Sequence, residues 1–125
     1  MMRLKKRSEF LAVAKGVRSA RRGFVLQAAT VGEQSFPPRI GYTVTKKTGN
    51  SPERNRIRRR LKAAWSDAAP LAASSGCDYV LIGRRAALHI SFDDLVRDLT
   101  GALSKLKNQQ QTDYKKKRRT PPNKG

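Results

Sequence analysis

The run RIGYTVTKKTGNSPERNRIRRRLKAAWSDAAPLAASSGCDYVLIG, residues 39–83, decides the fold. RIGYTV (39–44) is rich in β-formers and reads as a strand. Asn50 or Ser51, followed by Pro52, reads as a helix start, and Pro70 as the stop after about Ala69. LAASSG (71–76) is a loop. DYVLIG (78–83) is a near-continuous apolar run, as expected of a strand buried on both faces. Strand, helix and strand in succession imply a parallel pair joined by a helical crossover.

The helix itself poses the functional question. At about 100° per residue, Ile57, Leu61, Ala64, Trp65 and Ala68 form one apolar stripe that can dock on a sheet. Residues 52–62 nevertheless carry five arginines, one lysine and a single glutamate. Arg54/Arg58, Arg56/Arg60 and Arg58/Lys62 lie four apart, and each such like-charged pair costs up to roughly 0.5 kcal/mol. Arg54 and Arg56 also sit at the positive end of the helix dipole, where acids are favoured. A solvated face would interleave glutamates. Local rules broken without nearby compensation point to a functional site. A polyphosphate supplies the compensation, because arginine contacts phosphate in planar, bidentate fashion and the helix N-terminus adds N–H donors. Asn55 can reach a sugar hydroxyl or a base edge. The competing reading is a generic basic surface helix.

Beyond this run, the chain has 125 residues, which suits one domain, and a net charge of +19. That excess attracts polyanions; nucleic acid, anionic membrane and plain solubility are the classes left, with nucleic acid favoured. Cations cluster in residues 3–22, 46–62 and 115–124. Ser8–Ala14 can form a short helix with Ser8 as N-cap and Gly16 as its stop. GFVLQAATV (23–31) is a strand candidate, and GEQSFPP (32–38) a turn. Ser91 and Asp94 form a capping-box pattern opening a helix with Leu95, Leu99, Ala102, Leu103 and Leu106 on one face. From about Asn108 the apolar pattern dissolves, so the expectation is one α+β domain over residues 1–107 and a basic disordered tail over 108–125. Element order is α-β-β-α-β-α.

The apolar run Phe10–Ala14 is too short for a signal-peptide core, and no stretch reaches membrane-span length. Cys77 is the sole cysteine, so no intrachain disulfide forms. A cytoplasmic location without membrane contact is expected. A protein-based nuclease site finds little support. His89 is the only histidine. Asp93 and Asp94 read as first-turn acids of a helix, and Asp98 adds no third ligand type. Cys77 lacks an activating histidine.

At this point the residues resemble the bacterial ribonuclease P protein subunit. KKTGNSPERNRIRRRLK (46–62) looks like that family's signature, centred on Arg54, Asn55 and Arg56 and led by Lys46-Lys47 and Gly49-Asn50. LKKRSEFLAVAKG (4–16), GFVLQ (23–27), RIGYTVTKK (39–47) and DYVLIGRRAA (78–87) follow in the family's order. The likeness covers about residues 4–106.

The resemblance implies an α+β fold, ribosomal S5 domain 2-like, whose mixed sheet holds a left-handed β-α-β crossover around the arginine-rich helix. It implies a ribonucleoprotein endonuclease whose RNA subunit cuts precursor tRNA to release the 5′ leader, the protein alone being inactive. Magnesium would serve the holoenzyme, not a dedicated protein site. Partners would be the RNA subunit and precursor tRNA, with one protein monomer per RNA. RNA-binding residues would be Lys46, Lys47, Arg54, Asn55, Arg56, Arg58, Arg59, Arg60 and Lys62. The leader cleft would be lined by Phe10, Val13, Ala14, Val25, Gln27 and Thr43. Ala14 stands where the family commonly has a second aromatic, and Gln27 where a tyrosine occurs, which leaves Phe10 as the one stacking platform there; the alternative is that Phe10 is plain core. Alternation puts Tyr42 on the opposite side from Thr43. A ribosomal-type or other non-catalytic RNA-binding protein is the alternative that composition alone leaves open.

Overall fold

The structure is a computed structural model and describes residues 2–30 and 37–119. Its elements are β1 (Met2–Arg3), α1 (Arg7–Ala14), β2 (Val17–Ala20), β3 (Phe24–Thr30), β4 (Arg39–Thr43), α2 (Ser51–Ala72), β5 (Cys77–Gly83) and α3 (Phe92–Arg119). Five strands form one sheet in the order β1-β4-β5-β3-β2. β5 pairs parallel with β4 and antiparallel with β3, so the sheet is mixed and α2 is the crossover between β4 and β5. Position explains the apolar run of DYVLIG: β5 is the central strand, with helices over both of its faces.

The expected α-β-β-α-β-α order is present, with two short strands added at the edges. β1 pairs parallel with β4 and β2 antiparallel with β3. Neither carries a sequence signal. β1 has two residues, and the inward residue of β2 is a polar one, Ser19, 5% exposed. No apolar alternation marks such a strand.

The two sheet faces differ in their cover. Phe24, Leu26, Ala28, Ile40, Tyr79 and Leu81 face the long helices and form the main core with Ile57, Leu61, Ala64, Trp65 and Ala68 of α2. Leu95, Leu99, Ala102, Leu103 and Leu106 of α3 close it, so both helix stripes sit as their periodicity predicts. Trp65 and Tyr79 meet with ring centroids 5.2 Å apart. On the other face only the eight-residue α1 packs. Leu4, Val13 and Val80 form a small second core there, flanked by half-buried Phe10 and Ile82.

Helix ends depart from the sequence reading in three places. α1 starts at Arg7 with Lys6 as N-cap, not at Ser8. The carboxylate of Glu9 reaches back and accepts the backbone N–H groups of Lys5 and Lys6, both at 2.9 Å, which replaces a serine cap. α2 runs through Pro70 to Ala72. Pro70 takes its own N–H out of the ladder and crowds the carbonyl four residues back, yet the ladder resumes with Ala73 donating to the Ala69 carbonyl at 2.9 Å. The helical backbone of α3 continues to Arg119, past Asn108 where a disordered tail is expected to begin. Gln, Lys and Arg are good helix formers, and a nucleated helix propagates at little cost. Residues 120–125 and most of the expected 32–38 turn lie outside the described residues.

One side chain ties α1 to the sheet. Arg39 of β4 donates to both carboxylate oxygens of Asp78 on β5, at 2.8 and 2.6 Å, and to Glu9 of α1 at 2.7 Å. The Asp78 side chain is only 4% exposed. Truncating Arg39 would strand that charge in the interior. Arg39→Ala is therefore expected to cost about 3–5 kcal/mol of stability in urea denaturation.

The same cluster makes stability depend on acid. The N–H groups of Lys6 and Lys5, with help from Arg39, hold the Glu9 carboxyl down at about 2, against an ordinary value of 4.5. The unfolded chain thus binds the proton more readily, and the stabilisation is complete above pH 4.5 and lost as pH falls toward about 2. Melting temperature should fall through this window, and Glu9→Gln should make the fall shallower.

Candidate nucleic-acid interface

The basic helix is built from its cap outward. Asn50 is the N-cap: its side-chain oxygen accepts the Glu53 N–H at 2.9 Å, and Glu53 Oε1 accepts the Asn50 N–H at 2.9 Å. Pro52 occupies the first turn, where its missing N–H costs nothing. Glu53 Oε2 meets Arg85 Nη2 at 2.6 Å, and Arg85 Nη1 donates to the Thr48 carbonyl at 3.2 Å. Arg85, chiefly, and the Asn50 N–H push the Glu53 carboxyl down to about 2. The one glutamate in the arginine run therefore serves the cap and a distant arginine, leaving its basic neighbours uncompensated. Arg85 also pins the 3₁₀ turn Lys46–Thr48, which presents Lys46 and Lys47 beside the helix start.

The predicted RNA-binding residues separate into three groups. Lys46, Lys47, Asn55, Arg56 and Arg59 are exposed. Among the described residues, none of those four cations makes an ion pair. Arg54, Arg58 and Lys62 are half-buried. Arg54 Nη2 donates to Ser51 Oγ at 2.9 Å, Arg58 Nη1 to Asn55 Oδ1 at 3.2 Å, and Lys62 Nζ lies 5.8 Å from the Tyr42 ring centroid. Arg60 departs from the expected set. Its Nε donates to the Ala87 carbonyl at 2.9 Å and its Nη2 to the Ile90 carbonyl. It fastens α2 to the segment before α3, because its place on the helix turns it toward that segment.

At the β4 edge of the sheet a hollow of about 130 Å³ is lined by Arg3, Phe10, Gly41, Tyr42, Arg58 and Lys62, among others. β1 pairs with β4 only at Arg39 and Ile40, so the edge beyond Ile40 is uncovered by it. The Phe10 ring lies across Gly41, where a Cβ would come within 2.6 Å of it. Glycine is required there for Phe10 to rest on the strand. Tyr42 packs on the α2 side, as alternation from Thr43 predicts.

The proposed leader cleft is the α1 face of the sheet. Register aligns Ala20, Val25, Ile82 and Thr43 in one row across β2, β3, β5 and β4. The next row is Arg18, Gln27, Val80 and Gly41. Phe10, Val25 and Thr43 are half-buried and Ala14 is exposed, so each has surface to offer. Val13 is corrected to core: it is wholly buried on Leu4 and Val80. Gln27, 8% exposed, lies in the second row, the row that includes Val80 beneath Val13, and has little surface to offer.

Sequence reasoning missed Arg39 and Arg85, because an arginine outside a cluster gives no signal of its structural partner. It also missed Arg21, Arg22 and Arg84, which with Ala20 and Asp98 line an open hollow of about 510 Å³. Among the described residues no three His, Cys, Asp or Glu side chains converge as a metal cage would require.

Comparison with known proteins gives one consistent result. The family model described as Ribonuclease P matches residues 1–107. The ribonuclease P protein component of Paramagnetospirillum magneticum is 46% identical over 114 residues, covering 88% of this chain and 86% of the relative. That of Gluconacetobacter diazotrophicus is 48% identical over 104 residues, covering 82% and 89%. The solved Staphylococcus aureus RNase P protein superposes with a TM-score of 0.66 at 26% identity, over 82% of this chain and 93% of that one.

Two neighbouring arginines provide an internal control for the division within α2. Arg60→Ala removes two hydrogen bonds to backbone carbonyls and should lower unfolding free energy by about 1–3 kcal/mol. Arg59→Ala touches only exposed surface and should stay within about 0.5 kcal/mol of the parent. Chemical denaturation of both variants checks this.

Proposed function

The chain belongs to the ribonuclease P protein family, whose role is in tRNA 5′ processing, and from that premise we propose how its surface takes part. The protein associates with the ribonuclease P RNA and the tRNA substrate. In our reading α2 and the Lys46–Thr48 turn grip the RNA subunit, and the α1 face of the sheet takes the single-stranded 5′ leader. The RNA subunit carries the cleavage chemistry. Magnesium acts in the ribonucleoprotein. One monomer per RNA, in the cytoplasm, completes the proposal.

The observation that carries the reading is the uncompensated charge of α2. Among the described residues, Arg56 and Arg59 stand exposed without a carboxylate partner, next to Asn55 and the two lysines of the preceding turn. Each phosphate neutralised by such a side chain releases counterions, so binding strengthens as salt falls. Arginine adds bidentate hydrogen bonds to phosphate oxygens. The electrostatic strain within the free helix is relieved when the polyanion docks.

The leader reading rests on a different chemistry. Phe10 offers a ring at the mouth of the β4-edge hollow, with Arg3, Arg58 and Lys62 around it. A single strand can stack a base on the ring while the cations track its backbone. A ribosomal-type role without catalysis fits composition equally but not the family to which the chain belongs.

Reconstitution tests the proposal. Purified protein in magnesium should leave precursor tRNA uncut. Combined with its cognate RNA subunit, it should lower the magnesium concentration needed for cleavage at the mature 5′ end. Accurate cleavage by RNA-free protein would overturn the assignment of catalysis to the RNA.

A further inference from the structure

We propose that Arg21, Arg22 and Arg84 form a second RNA-phosphate site, at the β2 edge of the sheet. There it holds the backbone of a single strand that has crossed the α1 face. The inference rests on the leader reading above and extends it to the far side of the domain.

The three guanidinium groups converge because backbone and α3 hold them there. Arg21 N–H donates to the Phe24 carbonyl at 2.8 Å and Arg84 N–H to the Gly23 carbonyl at 3.0 Å, which sets the β2–β3 turn beside the end of β5. Arg84 Nη1 donates to the Arg21 carbonyl at 3.1 Å. Arg22 Nη2 is fixed by Asp98 of α3 at 3.1 Å. The Arg21 guanidinium passes over Gly101, with Nη2 3.8 Å from where a Cβ would stand. Asp98 is the sole carboxylate lining the hollow, so two of its three positive charges face it unneutralised. Arg21 Nε is buried and has no hydrogen-bond partner among the described residues. A merely solvated basic patch would spread its charges. A fixed cluster of guanidinium groups with spare donors matches the planar, doubly accepting face of a phosphodiester.

The site also lies where a crossing strand would leave. Ala20 lines the hollow and is the first member of the row Ala20, Val25, Ile82 and Thr43. That row spans three inter-strand spacings, about 14 Å, and carries no acid along its length. Its Thr43 end adjoins Gly41 and Tyr42 of the β4-edge hollow. A strand whose base stacks near Phe10 can thus run over uncharged side chains and reach arginine again at β2. The same phosphodiester chemistry could come from the leader or from the RNA subunit, and the arms of the test separate them.

The experiment uses full-length protein assembled with its RNA subunit. The variants are Arg84→Gln and Arg22→Gln, both altered at side chains that leave the main core untouched. Probes are mature tRNA, a precursor whose short leader ends over the sheet, and a precursor whose leader extends past the β2 edge. Either variant should weaken the long-leader precursor roughly two- to fivefold, the scale of an exposed ionic contact. The log–log salt slope should become shallower by about 0.7. Short-leader and mature substrates should be unaffected. Equal weakening of all three, together with weaker binding of the RNA subunit, would keep the phosphate site and assign it to that subunit. Unchanged RNA affinity in both variants, with an unchanged melting curve, would overturn the site. Loss in an α2 variant such as Arg56→Ala alongside silence in Arg84→Gln would sink this inference and leave the proposed function standing.

Discussion

The Arg39 guanidinium is the joint on which the arrangement of the domain depends. It accepts no substitute easily, because it meets Asp78 in the central strand and Glu9 in α1 at once. A buried carboxylate in a central strand is costly unless paired and hydrogen-bonded, and the fork supplies both oxygens with donors. The third donor then fixes where the short helix sits. α1 has few apolar contacts of its own, Val13 being its only wholly buried residue. Hydrophobic burial alone would hold it weakly, so the ion triad decides its position and with it the shape of the cleft.

Acids in this very basic chain are distributed to the same end. Glu9 and Asp78 pair with Arg39, Glu53 with Arg85, Asp98 with Arg22 and Asp94 with Arg97. None of these five carboxylates pairs with a cation of α2 or of the lysine turn before it. Ion pairs between exposed groups contribute little to stability, so their placement matters more for what they leave free. Carboxylates are consumed at the cap of α2, beneath α1 and on α3. Among the described residues, Lys46, Lys47, Arg56 and Arg59 therefore keep their charge unpaired, which suits the polyanion partner proposed above.

The parts legible in sequence were those governed by periodicity. The Ile57-to-Ala68 stripe, the Leu95-to-Leu106 stripe and the doubly buried β5 all follow from apolar spacing, which tertiary packing reinforces. The arginine run stands out in sequence because it violates helix electrostatics, and the structure leaves Arg56 and Arg59 of it exposed. Other features depend on contacts far apart in sequence. Arg60 has the same residue type and spacing as its neighbours, yet it faces the Ala87 and Ile90 carbonyls, and no local rule distinguishes it from Arg59. Val13 was assigned to the cleft by resemblance, but its side of α1 is the one that meets Val80. β2 escaped notice because its buried residue is a serine, and the arginines at its end therefore had no context.

The two sheet faces are covered unevenly, and the difference sets what the α1 face can carry. A domain of this size needs one well-filled core to be stable, and α2 with α3 supplies it on a single face. The opposite face needs only enough apolar contact to seat α1. Its remaining row, Ala20, Val25, Ile82 and Thr43, can then be uncharged without loss to the main core. Further large aliphatic residues beside Ile82 would enlarge an exposed apolar patch and invite self-association. Carboxylates there would repel a phosphate backbone. Neutral side chains lie between the two arginine-bearing edges, so in the leader reading proposed above the strand's own charge, rather than any shape on the floor, sets where it is held.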